Sequence, residues 1–500
     1  MTVSFNTIPA DLAVPLFYAE IDNSQASTGS DTLRRLVIGQ ANDDAVLEAP
    51  TLTLLSRPRD AVALGGDGSM LAAMCDVYRR GDPVGELWGL AVKVTDGTPA
   101  SGALELTGTA SETGLLSLYI AGRLVRVTVT SGTAAIDLLP MLAAAVNGTS
   151  NLPVHASIKD SQLVLTCKWA GATGNDIRLE LNRGGLAADE RTPAGLTVNL
   201  TPMANGAGAP DVTAALAALG DEAFEFVCQP WTDPDSLDVF AEWMGEVAGR
   251  WSWSSMLYGH VYGARRGTPG QLTLAGRARN DPHMTINGFE MDAPRPAWEQ
   301  AAAFVARQAV FISADPARPT QTGALIGIAP PRHGQRFILT ERQTLLTSGI
   351  ATTMSSDGTV RIERAVTTYQ RNAYGQPDDS YRDSETLHTT GYVMRFLRNR
   401  ITSKYGRHKL ADNGTRFGAG AAVVTPNIIR AELIAAYDEL EYAGIVEHAD
   451  LFAQYLIVER NAENPNRVDV LFPPDYINQL RIFAVLNQFR LQYPAGMQAA

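Results

Sequence analysis

The chain has 500 residues, room for about three domains at ~150 residues each. Its 45% apolar and 19% charged residues are those of a packed globular protein and exclude disordered, collagen-like and low-complexity classes. A net charge of −12 disfavours nonspecific binding to nucleic acid.

The longest apolar stretch, Leu138 to Val146, is broken by Pro140 and is far short of the ~20 residues that span a bilayer. No cation precedes Arg34 and no apolar core follows the start, so no signal peptide is expected. Cys75, Cys167 and Cys228 are scattered and odd in number, which predicts core packing in a reducing compartment rather than disulfides or a zinc site. The 36 Arg against 5 Lys reflect a GC-rich genome more than a function.

Val14 to Ile21 (VPLFYAEI) is extended and apolar, and Asn23 to Thr32 is a polar linker. From Leu33 to Val94 the pattern is β–α–β: LRRLVIGQ, a helix from Ser69 to Arg79 stopped by Gly81, then ELWGLAVKV. Between about 96 and 200, LSLYI, RLVRVTVT, QLVLT and IRLEL read as strands around one helix near 138–146. TPMANGAGAP (201–210) reads as the linker back. The α/β alternation then resumes: a helix closed by Gly220, FEFVCQ, a helix from Asp233-Pro234 to Val247, MLYGHVY, a helix from Trp298 to Val310, and ALIGIAPP as a final strand.

The last third is α+β. GIATTMSS and TVRIERAVTTYQ form a hairpin across Asp357-Gly358. Helices run from Ser384 to Thr402 and from Pro426, the second with Ile429, Leu433, Tyr437 and Leu440 on one face. YLIVER, RVDVLF and IFAVLNQFRLQY read as strands. In the last of these, Phe483, Val485, Phe489, Leu491 and Tyr493 share a face. Extended apolar segments near both termini suit strand exchange between subunits. Each also suits an ordinary strand of its own sheet.

Motifs for chemistry are weak. Gly65-Gly66-Asp67-Gly68 lacks dinucleotide spacing, and no Gly-Lys supplies a P-loop. Asp233, Asp235 and Asp238 fail the calcium-loop pattern at Leu237 and fit a helix N-terminus. Ser348 has no Gly-x-Ser-x-Gly setting, and none of His155, His260, His283, His333, His388, His408 and His448 lies in a base motif. Asp378, Asp379, Asp383 and Glu385 fit a solvated helix start. Arg395, Arg398, Arg400, Lys404, Arg407, His408 and Lys409 form one basic stretch. It suits nucleic acid, a helix C-terminus or a charged protein interface, and it lacks the aromatics of a nucleic-acid groove.

From VPLFYAEIDNSQA and RRLVIGQ through ALIGIAPP, ERQTLLTSGI, DGTVRIERAVTTYQ and YRDSETL, the chain resembles contractile phage tail sheath proteins of the Mu-like branch. The likeness continues in RITSKYGRHKLADNGTR, VVTPNIIRAELIAAYDELE and ERNAENPNRVDVLFPPDYINQLRIFAVLNQFRLQY. The resemblance implies a multidomain α/β and α+β fold. An N-terminal arm and linker (1–32) would precede an α/β core (33–95 with 205–340), the region labelled subtilisin-like in sheath proteins. A β-rich outer domain (96–204) would be inserted in the core, and a C-terminal α+β domain (341–482) would lie innermost, ending in an arm (483–500).

It further implies a structural subunit of the virion tail, assembled in the host cytoplasm, with no catalytic residue, cofactor or metal. The partners implied are its own copies in stacked six-membered rings, the tail tube protein, and baseplate and tail terminator proteins, with no nucleic acid and no direct membrane insertion. Val14, Leu16, Phe17, Tyr18 and Ile21 would pair with one neighbour, and Phe483, Val485, Phe489, Leu491 and Tyr493 with another. Charges on the helix around 425–445, or in the loop near 405–416, would meet the tube. The competing readings are an α/β serine hydrolase of subtilisin type acting on protein substrates, with Ser348 or another serine as nucleophile, and a non-enzymatic adhesin or shell protein.

Overall fold

Leu36, Val37 and Ile38 are consecutive and apolar, so their strand needs cover on both faces. They form β1 (Arg35–Gln40), buried along its whole length. The structure, a computed structural model, describes residues 33–47 and 50–491. Val14, Leu16, Phe17, Tyr18, Ile21 and Tyr493 lie outside those residues. After β1 come β2 (Thr53–Leu54), α1 (Pro58–Gly65), α2 (Met70–Gly81) and β3 (Leu87–Val92). β1 and β3 pair in parallel, Arg35 opposite Leu87, so the anticipated β–α–β unit forms. Ser69 caps α2 by accepting from Ala72 N–H at 3.2 Å. The helix lies so close that a Cβ on Gly39 would stand 2.9 Å from the Leu71 Cα.

The β-rich insertion follows: β4 (Pro99–Gly108), β5 (Gly114–Ile120), β6 (Arg123–Val129), α3 (Ala135–Asn147), β7 (Val154–Lys159), β8 (Gln162–Ala170), β9 (Leu179–Leu181) and β10 (Leu196–Ala204). They make a four-stranded sheet, β10–β4–β8–β7, and a three-stranded one, β6–β5–β9. In β8, Leu163, Leu165, Cys167 and Trp169 alternate inward, the period of a half-buried strand. The linker read at 201–210 begins later than its composition suggests. Thr201 and Ala204 complete β10 opposite Ala103 and Ser101, and backbone pairing to β4 overrides the turn-like residue types.

The core resumes with α4 (Val212–Ala217), β11 (Phe226–Cys228), α5 (Pro234–Met244), β12 (His260–Arg266), α6 (Pro269–Arg277), β13 (Met284–Phe289), α7 (Ala297–Ala314), α8 (Leu339–Leu346), β14 (Ala351–Ser356) and β15 (Thr359–Arg364). One eight-stranded sheet results, in the order β15–β14–β13–β12–β11–β1–β3–β2. Pairing is parallel from β14 to β3 and antiparallel at both ends. Leu36, Ile38, Val227, Val261 and Ile286 pack one face against Leu216 of α4, Phe240 of α5, Leu272 of α6 and Leu345 of α8.

Three expectations change in this layer. ALIGIAPP is not a strand; it runs beside β15 with Leu325 N–H donating to Val360 O at 2.8 Å and a single bridge at Ala324. The strand in MLYGHVY starts only at His260. The 351–364 hairpin, anticipated in the C-terminal α+β unit, joins the core sheet, because Asn287 and Gly288 pair with Ala351 and Thr352.

The C-terminal part holds α9 (Ser384–Tyr405), β16 (Lys409–Leu410), β17 (Val423–Val424), α10 (Pro426–Tyr442), α11 (Ala449–Tyr455), β18 (Ile457–Arg460) and β19 (Val468–Leu471). A second core gathers Val393, Ile429, Leu433, Tyr437, Leu440 and Phe452, with Tyr437 stacked on Phe452 at 3.8 Å. The α10 stripe read from the sequence is thus buried. The last predicted strand does not form: 477–490 holds neither helix nor ladder.

Trp169 of the insertion is fully buried and meets Trp298 of α7 edge-on, ring centroids 5.5 Å apart. Trp169→Ala should cost about 3–5 kcal/mol, measured as an earlier midpoint in denaturant unfolding.

Candidate functional site

Phe483, Val485, Phe489 and Leu491 are 71–96% exposed, and Ile482 and Leu486, on the opposite side, are 80% and 85% exposed. Burying six such side chains is worth on the order of 10 kcal/mol. Contiguous exposed apolar surface of this kind marks an interaction site. The segment is a strand pattern that pairs with no strand among the described residues. Nearby, β18 and β19 pair antiparallel with each other and, among the described residues, with no other strand. Ile457, Val470 and Leu471 are exposed there. A two-stranded ribbon is marginal alone and gains from further strands.

The N-terminal half of α9 docks on the core sheet through charge. Glu225, just before β11, is buried and accepts from Arg395 at 2.7 Å. Its other oxygen meets His388 Nδ1 at 2.5 Å, and His388 Nε2 lies 2.7 Å from the Tyr262 hydroxyl. Burial pushes the Glu225 carboxyl up, but Arg395 and His388 outweigh it and hold it below the usual carboxylate range. Beside them His260 bonds Thr285 at 2.8 Å, and burial pushes its basicity well down, so it stays neutral. This acid–imidazole–hydroxyl line is sealed from solvent and offers no access to a substrate. No sequence motif links its members; a lone Glu inside the apolar run FEFVCQ is the one hint.

Ser348 is buried, and its hydroxyl has no hydrogen-bond partner among the described residues, so it lacks the paired, exposed geometry of a nucleophile. Asp233 caps α5, accepting from Ser236 N–H at 2.9 Å, and Asp238 pairs with Arg279. The Gly65–Gly68 turn is filled by Lys168, which donates to Asp67 O and Ser150 O. His283 stacks on Trp251. The carboxylate cluster splits. Asp378 accepts from Tyr369 in a loop, whereas Asp383 and Glu385 are ion-paired, Glu385 fully buried, rather than solvated. Arg364 and Arg481 from other elements supply the compensation that local sequence cannot show.

Three members of the basic stretch, Arg395, Arg400 and Lys404, are ion-paired inside the chain, and Arg398, Arg407, His408 and Lys409 are exposed. Arg400 reaches Glu432 at 2.5 Å and Glu439 at 2.6 Å, and Lys404 also pairs with Glu432. Burial opposes ionisation of Glu432, but Lys404, Arg400 and Tyr405 bring its carboxyl down to about 2. Glu447, His448 and Asp475 stand close enough to hold a cation; His448 Nδ1 lies 2.8 Å from Asp475. A cavity of about 330 Å³ between α1 and α2 is lined by Arg57, Arg59, Arg79, Arg80 and Arg123. Arg79 is engaged by backbone carbonyls, Arg80 by Asp76 and Arg123 by Glu299. No helix of the described residues is long and apolar enough to cross a membrane.

The insertion is fastened to the core by a second ionic seam. Asp292 binds Arg332 at 2.5 Å and Arg178 at 2.9 Å. Glu180 of β9 binds Arg178 and Arg183. Asp176 holds Arg266 at 2.5 Å, and buried Glu299 holds both Arg123 and Arg295.

Residues 205–368 match the family described as phage tail sheath protein central domain, and 376–490 match the phage tail sheath C-terminal domain. Over 495 residues the chain is 38% identical to the Mu-like prophage FluMu tail sheath protein of Haemophilus influenzae, covering 98% of this chain and 100% of that one. Among solved structures, a sheath tail protein of Desulfitobacterium hafniense aligns over 93% of this chain and 97% of its own, with 12% identity and a TM-score of 0.49. One from Listeria innocua aligns over 91% and 94%, with 11% identity and a TM-score of 0.47.

The Asp292 carboxyl is desolvated, yet Arg332 and Arg178 bring it down to about 2. A carboxyl so lowered stabilises the fold fully above its unfolded pKa of about 4, and the contribution is lost as pH falls towards 2. Asp292→Asn should therefore lower stability at pH 7 by about 2 kcal/mol and flatten the loss of stability between pH 4 and 2, read by urea unfolding.

Proposed function

Because the chain belongs to the phage tail sheath family and is a structural subunit of a contractile tail, we propose that it polymerises around a tail tube as stacked six-membered rings and drives that tube through the target envelope when it contracts. The observation that carries this reading is the apolar segment Ile482–Leu491, exposed on both sides, in a chain that also holds the two-stranded β18–β19 ribbon. A strand donated by one copy to the ribbon of the next satisfies both. Such a contact is heterologous; where it links one ring to the next it does not close on itself and builds a helical filament. Val14, Leu16, Phe17, Tyr18 and Ile21 serve as a second donated strand, and Tyr493 extends the first.

The work of contraction is stored at assembly, as a difference between two packings of the same subunits with a barrier between them. No nucleotide is required, and the role is structural rather than catalytic. The insertion at 96–204 faces outward and the C-terminal domain faces the tube, with baseplate and terminator proteins at the two ends. Glu432 is engaged by α9, whereas Asp438 of α10 and Arg407, Lys409 and Arg416 of the 405–416 loop are exposed and serve as tube-facing charges.

Overexpressed full-length protein should form wide striated tubes in negative-stain electron microscopy. Chains lacking 1–22 or 484–500 should stay as dispersed monomers; long tubes from either would refute the arm mechanism. Asp438→Arg should weaken co-sedimentation with the tube protein several-fold while tubes still form, and unchanged binding would move the contact elsewhere.

A further inference from the structure

The exposed part of the C-terminal arm starts abruptly. Up to residue 481 the chain is tied to its own body. Glu447 N–H donates to Asp475 O at 2.9 Å, Asp475 N–H donates to the Tyr437 hydroxyl, and Ile477 N–H donates to Ile445 O at 3.2 Å. Gln479 Nε2 donates to Ala317 O at 2.9 Å, and Gln321 Nε2 donates to Leu480 O at 3.2 Å. Arg481 follows, with its side chain only 11% exposed. The next residue, Ile482, is 80% exposed.

Arg481 does more than pack. Its Nη2 lies 3.3 Å from Asp383 Oδ1 and 3.2 Å from Glu385 Oε2, and also donates to Gln479 Oε1. Asp383 is held from the other side by Arg364 in a bidentate pair at 2.7 and 2.8 Å. Glu385 accepts from Thr320 N–H at 3.0 Å and from the Thr320 hydroxyl at 2.7 Å. Two carboxylates at the start of α9 thus face two guanidiniums. One comes from β15 of the core sheet and the other from the root of the arm. Removing one partner of a buried ion cluster leaves an uncompensated charge, which is strongly unfavourable.

We propose that Arg481 is the positioning residue that pins the root of the C-terminal arm to the first turn of α9, so that the exposed arm begins at Ile482. This rests on the reading of 482–491 as an arm donated to a neighbouring copy. From a fixed root, the ten described residues 482–491 reach about 33–36 Å when extended. If the root peeled back to Ile477, fifteen residues would be free and the reach would grow to about 50 Å. The clamp therefore sets how far a donor can lie from its acceptor.

The test is limited chymotrypsin digestion of the dispersed full-length chain, with cleavage sites mapped by mass spectrometry. The wild type should be cut after Phe483 and Phe489 and resist after Tyr476. Arg481→Ala should raise cleavage after Tyr476 at least tenfold, leave cleavage after Phe483 and Phe489 unchanged and keep a cooperative melt. Arg481→Lys should restore most of the resistance, because both carboxylates are met by one nitrogen and a point charge suffices. Wild-type resistance in Arg481→Ala, or a Lys variant as labile as the Ala variant, overturns the clamp. If Arg481→Ala does not fold, Glu385→Gln gives the same readout while keeping the Thr320 bonds. In assembly, Arg481→Ala should give tubes of irregular spacing or none; tubes of wild-type spacing from a chain with a loosened root overturn its positioning role. Deletion of 484–500 tests the arm reading separately, since failure there leaves the digestion result standing.

Discussion

Glu225 is the constraint on which the arrangement of the body depends. A carboxylate taken fully out of water is tolerated only with close compensation, and both its partners, Arg395 and His388, come from α9. The helix cannot leave the sheet without stranding that charge. Beyond this contact, the C-terminal half of α9 enters the second core beside α10. This helix, which lies wholly within the matched C-terminal region, thus packs on both the core sheet and the second core. Its 22 residues extend about 33 Å.

The insertion is joined by different means. Its own sheets are apolar inside, but its contact with the core is a band of Arg–carboxylate pairs around one tryptophan pair. Such a joint is directional: guanidinium forks match carboxylates in few orientations, so the insertion is held at a defined angle. Arg123, Arg178, Arg183, Arg266, Arg295 and Arg332 serve this joint, and Arg400 serves the α9–α10 contact.

Much of this architecture is legible in the residues. Strands with inward alternation such as β8, the capped starts at Asp233-Pro234 and Thr425-Pro426, and the α10 stripe Ile429–Leu440 all carry local signals that packing reinforces. What stays hidden is non-local. β2, with two residues, and β13, flanked by polar turns, exist because neighbours pair with them. ALIGIAPP has the apolar run of a strand, but beside β15 it makes only a few bonds before turning at Gly327. The last segment illustrates the reverse case. Its alternation from Phe483 to Leu491 is strand-like, and the described residues provide no sheet for it. The charged clusters at Glu225, Asp292 and Asp383 were illegible because their members lie far apart in sequence and no spacing rule connects them.

The edges of the large sheet have a consequence for fidelity. At one end β2 is only two residues long. At the other, the outer side of β15 is already bonded by Thr322, Gly323 and Leu325, through Ile362 and Val360. Neither border offers a run of open backbone to an incoming strand. The largest sheet in the molecule is therefore a poor template. At the high local density of a growing polymer, where many extended segments compete for partners, the core sheet stays closed to them, and only the smaller sheets outside it present edges. A chain built this way limits branching and off-register clumping by leaving its neighbours few wrong places to bind.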